Sequence, residues 1–166
     1  MKKVTRLFAM LLTILTLSSI CIPIAAQATE TYEQTTITQF GYTILDKDGN
    51  VIERGITPNF RARYSWSGIK IKNGQSIIFD MKGTDFLIGS GRRIFFKFTL
   101  DRFAETKTSL SKRVEGKTYY ETVESTRAQG QNPSLRYDIA ETGYYFMDIQ
   151  NMSSDPITVT SAELTF

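Results

Sequence analysis

The chain contains no histidine, and its one cysteine, Cys21, lies close to the N-terminus. Without an imidazole there is no Ser-His-Asp or Cys-His nucleophile and no histidine proton shuttle. Ordinary zinc sites, which need imidazole or thiolate ligands, are excluded on the same ground. There are four prolines and one tryptophan. Long hydrophobic runs are missing too, apart from one at the start of the chain.

That run is the core of "MKKVTRLFAMLLTILTLSSICIPIAAQA". Lys2, Lys3 and Arg6 precede an apolar stretch from Leu7 to Ile24, and Pro23 stands ahead of Ala26-Gln27-Ala28, a small-x-small cleavage signature. Residues 1–28 are therefore expected to be a secretory signal peptide, residues 29–34 a flexible leader, and residues 35–166 one domain. The expected location is extracellular, with release or non-covalent retention at the cell surface, and with no membrane span after cleavage. Ile20 ahead of Cys21 does not fit a lipoprotein signal.

Removing that segment changes the charge argument. The whole chain has 20 basic and 17 acidic residues, but three of the basic ones leave with it, so the remainder is balanced. The high whole-chain pI is no sign of a nucleic-acid partner. Cys21 leaves as well, so the expected domain has no disulfide and must be held by its core.

What is present is alternation. Apolar residues recur with period two along most of the chain, at turn-bounded intervals of about 8–12 residues. "RRIFFKFTLD" places Ile94, Phe96, Phe98 and Leu100 on one face and Arg93, Phe95, Lys97 and Thr99 on the other. "NFRARYSWSG" sets Phe60, Ala62, Tyr64 and Trp66 against Arg61, Arg63 and Ser65. Residues 36–45 read as one strand, and "DKDGN" as a hairpin turn. "KNGQ" reads as a second hairpin, and "NMSSDP" as the turn of a closing one. A shift of apolar phase between Val159 and Ala162 points to a bulge near Thr160-Ser161.

Two stretches break the rhythm. Residues 102–116 read as a short helix or a long crossover loop, and residues 125–134 as a polar loop. The expected fold is all-β: an antiparallel two-sheet sandwich of jelly-roll or Greek-key type. It should have about nine or ten strands and at most one short helix near 102–116.

Several motif matches fail. "DKDGN" begins like a calcium loop, but Val51 stands where the loop's glycine belongs, and Thr57 where its last glutamate belongs. Ser109-Leu110-Ser111-Lys112 matches S-x-x-K without its partner motifs. "EGKT" lacks the upstream glycine of a phosphate loop. No cofactor and no metal site is indicated. Paired carboxylates among Asp80, Asp85, Asp101 and Asp138 leave hydrolysis open, since carboxyl separation decides that chemistry.

Two candidate binding features remain. Residues 54–117 carry fourteen Lys/Arg against five Asp/Glu, while both flanks are acidic. Arg61, Arg63, Arg93 and Lys97, with Phe95 among them, form a candidate face for an anionic wall polymer or acidic polysaccharide, because guanidinium forks suit carboxylate and phosphate. The competing expectation is that these charges pair with the acidic ends of the chain. The other feature is aromatic: Tyr64, Trp66, Tyr119, Tyr120, Tyr144 and Tyr145 include candidates for a flat sugar platform, although most aromatics must fill the core.

The run Gly143-Tyr144-Tyr145-Phe146, ahead of Asn151 and Ser153-Ser154, together with "IKNGQSIIFDM", resembles small secreted bacterial β-sandwich accessory domains of the pre-peptidase C-terminal type. That resemblance covers under half of the domain. It implies a jelly-roll-like module that acts by binding, and it transfers no functional residue. The expected function is a non-enzymatic extracellular or surface module for a cell-wall polymer, polysaccharide or surface protein. A small carboxylate-dependent hydrolase and a self-assembling matrix protein are the alternatives.

Overall fold

Inward-facing aromatics and β-branched residues from two antiparallel sheets meet to form the core of this molecule, a computed structural model that describes residues 35–60 and 67–166. Twelve strands are present among these residues, and no helix. They are β1 (Thr36–Ile37), β2 (Gly41–Leu45), β3 (Val51–Ile56), β4 (Ile69–Ile71), β5 (Ser76–Asp80), β6 (Phe86–Ile88), β7 (Arg93–Leu100), β8 (Ala104–Arg113), β9 (Tyr120–Gly130), β10 (Ser134–Asp138), β11 (Gly143–Asn151) and β12 (Ile157–Thr165).

One sheet runs β1-β12-β7-β10, with β4 also on β12; the other runs β3-β2-β5-β11-β8-β9, with β6 also on β11. The first therefore has five strands and the second seven, which is the expected sandwich. β5 and β6 lie end to end along β11, opposite Met147–Gln150 and Gly143–Tyr145 respectively.

The core follows from the alternation. Ile94, Phe96, Phe98 and Leu100 of β7 are buried, and they face Phe79, Tyr145, Met147 and Ile149 of the other sheet. Phe79 joins the layers, its ring edge-on to Phe40 at 5.4 Å and to Phe96 at 5.9 Å. Such aromatic pairs add to area burial, and truncating one to alanine costs about 3–5 kcal/mol.

Turn chemistry follows the sequence at "DKDGN". Asp46 Oδ1 accepts the N–H groups of Asp48 and Asn50, and Gly49 supplies a φ of 86°. The Asn50 side-chain amide, which donates to Asp46 Oδ2, and then those N–H groups hold the Asp46 carboxyl below its usual range. The bulge between Val159 and Ser161 also lies where the apolar phase shift places it.

Five readings of local structure change. "KNGQ" is a turn, but β4 and β5 belong to different sheets, so it bridges the layers instead of closing a hairpin. The same holds for β11 and β12. There the Asn151 amide donates to the carbonyl of Asp155, while its Oδ1 accepts from Ser153 N–H. Residues 36–45 divide into β1 and β2, again in different sheets.

Residues 102–116 hold strand β8, which has neither a helix nor a crossover loop. Its inward positions include Thr106 and Thr108, fully buried hydroxyl residues that hide the alternation from a hydrophobicity reading. Residues 125–134 are mostly strand β9, which among the described residues pairs only with β8. β9 is exposed on eight of its 11 residues, because it extends past the five-stranded sheet, whose edge strand β10 lies over β8 through Tyr137.

Candidate functional site

Arg93, Phe95 and Lys97 do share the outer face of the five-stranded sheet, as the alternation of β7 dictates. Arg61, Arg63 and Trp66 lie outside the described residues. The basic face is met by carboxylates. Arg93 Nε donates to Asp138 at 2.8 Å, and Arg136 Nη2 donates to the other oxygen of the same carboxylate at 3.0 Å. These two guanidinium groups keep the Asp138 carboxyl below its usual range. Lys97 lies opposite Glu163 of β12 in register. Phe95 is half-buried between Thr165 and Arg136 of its neighbouring strands. The acidic residues come from the C-terminal part of the chain, so pairing with an acidic chain end is realised at Arg93.

The outer face of the seven-stranded sheet is different. At one end of it, register aligns Leu87 with Tyr144, and Tyr120 with Arg113. Arg113 follows Lys112, the partner of Tyr145, so it continues β8 beside Tyr144. Four side chains from four adjacent strands thus form a row: Leu87 of β6, Tyr144 of β11, Arg113 of β8 and Tyr120 of β9. Leu87 is 59% exposed, Tyr144 49% and Tyr120 38%.

Arg113 ties the row together. Its guanidinium carbon is 5.6 Å from the Tyr120 ring centroid and 5.7 Å from that of Tyr144, within cation–π range of both. Its Nη2 pairs with Asp85 at 2.6 Å and donates to the Tyr120 hydroxyl at 3.1 Å. That hydroxyl in turn donates to Asp85 at 3.1 Å. The Tyr120 hydroxyl and Asp85 both raise the Arg113 pKa. The Tyr120 ring meets Phe146 edge-on at 4.8 Å. The tyrosines are therefore held in place before any ligand arrives.

An open groove of about 830 Å³ adjoins this row and is lined by Leu87, Tyr144 and Arg113. Lys112, Glu121 and Val123 also line it, from the underside of the β8–β9 overhang. Lys112 crosses Gly143, where an added Cβ would come within 2.6 Å of the lysine stem, and its ammonium pairs with Glu141. That pairing raises the Lys112 pKa and lowers that of Glu141. Both cations at the groove are thus committed to carboxylates. Glu115 and Glu121 also line it, with no ion pair among the described residues.

Of the candidate platform aromatics, Tyr120 and Tyr144 come together. Tyr145 instead points into the core, with its hydroxyl donating to the Glu141 carbonyl. Tyr119 is exposed beside β9, and Tyr64 and Trp66 lie outside the described residues. Two of the four aspartates stay close and two stand apart. Asp80 and Asp85 are electrostatic neighbours on the seven-stranded sheet, and burial raises the Asp80 pKa. Asp101 follows β7 and accepts from Thr158 N–H, and Asp138 is held on β10.

Further along the same face, burial pushes the Asp148 carboxyl up to about 6, against the opposing pull of Ser109 and Lys107. Arg113 was missed by the sequence reading except as part of a charge count, since nothing local distinguishes it from its neighbours.

No protein-family model matches the chain, and no curated protein matches it. Solved structures similar to it include the CBM22-1–GH10 modules of Clostridium thermocellum endo-1,4-beta-D-xylanase 10B, complexed with xylohexaose. The identity there is 13%, with 80% of this chain and 25% of that one covered and a TM-score of 0.43. A family 29 carbohydrate binding module from Piromyces equi matches at 13% identity, 80% and 91% coverage and a TM-score of 0.38. The Glycosylation Associate Protein (Gap123) complex from Streptococcus agalactiae matches at 11% identity, 78% and 26% coverage and a TM-score of 0.36. The chain spans a quarter of the length of the xylanase chain. Overlap this loose establishes neither a family nor a function.

Proposed function

We propose that this chain is a secreted, non-enzymatic binding module that takes a glycan at the Tyr144–Arg113–Tyr120 end of its seven-stranded sheet. The observation that carries the reading is that row itself: two solvent-facing tyrosines fixed by a guanidinium that Asp85 holds in place. Sugar rings offer apolar C–H faces to aromatic rings and hydroxyls to planar polar groups. Arg113 has five N–H donors in its fork, and the Asp85 and Tyr120 contacts engage only one of its two terminal nitrogens. The open groove gives a chain-like ligand room to extend past the row. Preorganised rings lower the ordering cost of binding.

Secretion belongs to the same proposal and rests on residues 1–28, with residues 29–34 as leader and 35–166 as the binding domain. N-terminal sequencing of exported protein tests it, with Ala28 as the expected residue before the cut. Affinity electrophoresis against a polysaccharide panel tests the binding. Retardation by at least one glycan, weakened in Tyr144→Ala, is the expected result. No retardation by any glycan would overturn it.

A further inference from the structure

We infer that the ligand at this site is an uncharged, extended glycan whose chain runs across the strands, from Leu87 through Tyr144 and Arg113 to Tyr120. The inference rests on the glycan-binding reading and names the ligand class. Two observations carry it.

The first is charge. An acidic polymer needs free cations, and the two nearest ones are already matched, Arg113 by Asp85 and Lys112 by Glu141. Glu115 and Glu121 at the groove add negative charge with no described ion-pair partner. A uronic acid or phosphate polymer entering here would meet carboxylates and would have to displace Asp85 or Glu141 from its partner. A neutral chain meets no such repulsion.

The second is spacing. Neighbouring strands lie about 4.8 Å apart, so the backbones of Tyr144 and Tyr120, two strands apart, stand roughly 10 Å from one another, and the Arg113 guanidinium carbon lies 5.6 and 5.7 Å from the Tyr120 and Tyr144 ring centroids. The backbone separation is close to the repeat of a disaccharide in an extended β-linked hexose chain. Alternate sugars then sit against Tyr144 and Tyr120, and the sugar between them lies over Arg113, whose remaining N–H groups can donate to its hydroxyls. Leu87 extends the row by one further strand. Running along the strands would instead carry the chain from Tyr144 over Phe146, whose ring already meets Tyr120 edge-on, to the half-buried Asp148, and off the Arg113 donors.

Titration calorimetry of the exported protein with neutral β-1,4-linked oligosaccharides of two to six sugars tests this, with a polyuronate as the comparison ligand at low and moderate salt. Affinity is expected to rise with length until about three or four sugars and then level, and to change little with salt. Tyr120→Ala and Tyr144→Ala are each expected to weaken binding about tenfold or more. The length series needs no variant, so it decides even where a substitution unfolds the domain. Tighter, salt-sensitive binding of the polyuronate would overturn the inference and leave the glycan reading standing. No length dependence beyond a disaccharide would also overturn it. No binding of any sugar would sink both.

Discussion

The two outer faces of the sandwich use the same kinds of residue to opposite ends. On the five-stranded sheet, Arg93 and Arg136 converge on one exposed carboxylate, Asp138, and the aromatic among them, Phe95, is half-buried by its neighbours. On the seven-stranded sheet, one arginine is held by a carboxylate whose side chain is only 9% exposed, and the aromatics around it face solvent. The first arrangement offsets part of the local positive charge. The second fixes ring positions, because Asp85 orients Arg113 and Tyr120 together. A cluster of basic residues is thus less informative about binding than the burial of the carboxylate it meets.

The difference can be broken from either side. The largest expected effect is on binding: the double variant Tyr120→Ala/Tyr144→Ala should lose glycan retention in affinity electrophoresis altogether. Its fold should be retained, since the tyrosines lie outside the core. The corresponding change on the other face, Arg93→Gln with Lys97→Gln, should leave retention unchanged.

A smaller loss is expected from Asp85→Asn. It keeps the shape of the side chain and removes the charge that holds Arg113. Weakening of about tenfold is the expected result in calorimetry, with some binding retained because both rings remain.

The seven-stranded face should also show a stability signature that the other lacks. Burial raises the Asp148 pKa from an ordinary 3.8 to about 6 in the folded protein, so ionising it disfavours the folded state. The folded protein binds this proton more tightly than the unfolded chain, and stability should fall as pH rises from about 4 through 6. Asp148→Asn should therefore raise the melting temperature at pH 7, by an amount corresponding to at most about 3 kcal/mol. It should also flatten the pH dependence over that window. Asp138, whose pKa is lowered instead, acts in the opposite sense. Its substitution should matter least and should show only as a small loss of stability at neutral pH.

Some of this was legible beforehand. The inward and outward sets of β7 follow directly from period two, because a strand buried on one face needs apolar side chains there. β8 was hidden by its own chemistry. Thr106 and Thr108 occupy buried inward positions, and Ser109 and Ser111 are nearly buried on the outward ones. β9 was hidden by its surroundings, since a strand overhanging the opposite sheet needs no apolar alternation. The Asn73-Gly74 turn marks a reversal of direction but not whether the returning strand joins the same sheet.

At the site, the tyrosine pair was visible as residue types only. Tyr144 and Tyr145 are adjacent, and which one faces solvent depends on strand phase. Asp85 and Arg113 are far apart in sequence, and they meet only because β6 and β8 flank β11.

The most direct test follows backbone amide shifts by NMR while a neutral β-1,4-linked oligosaccharide is added to the exported protein. The account predicts perturbations centred on Leu87, Arg113, Tyr120 and Tyr144, with the outer face of β7 silent. Shifts centred instead on Arg93, Phe95 and Lys97, or no shifts at saturating sugar, would contradict it.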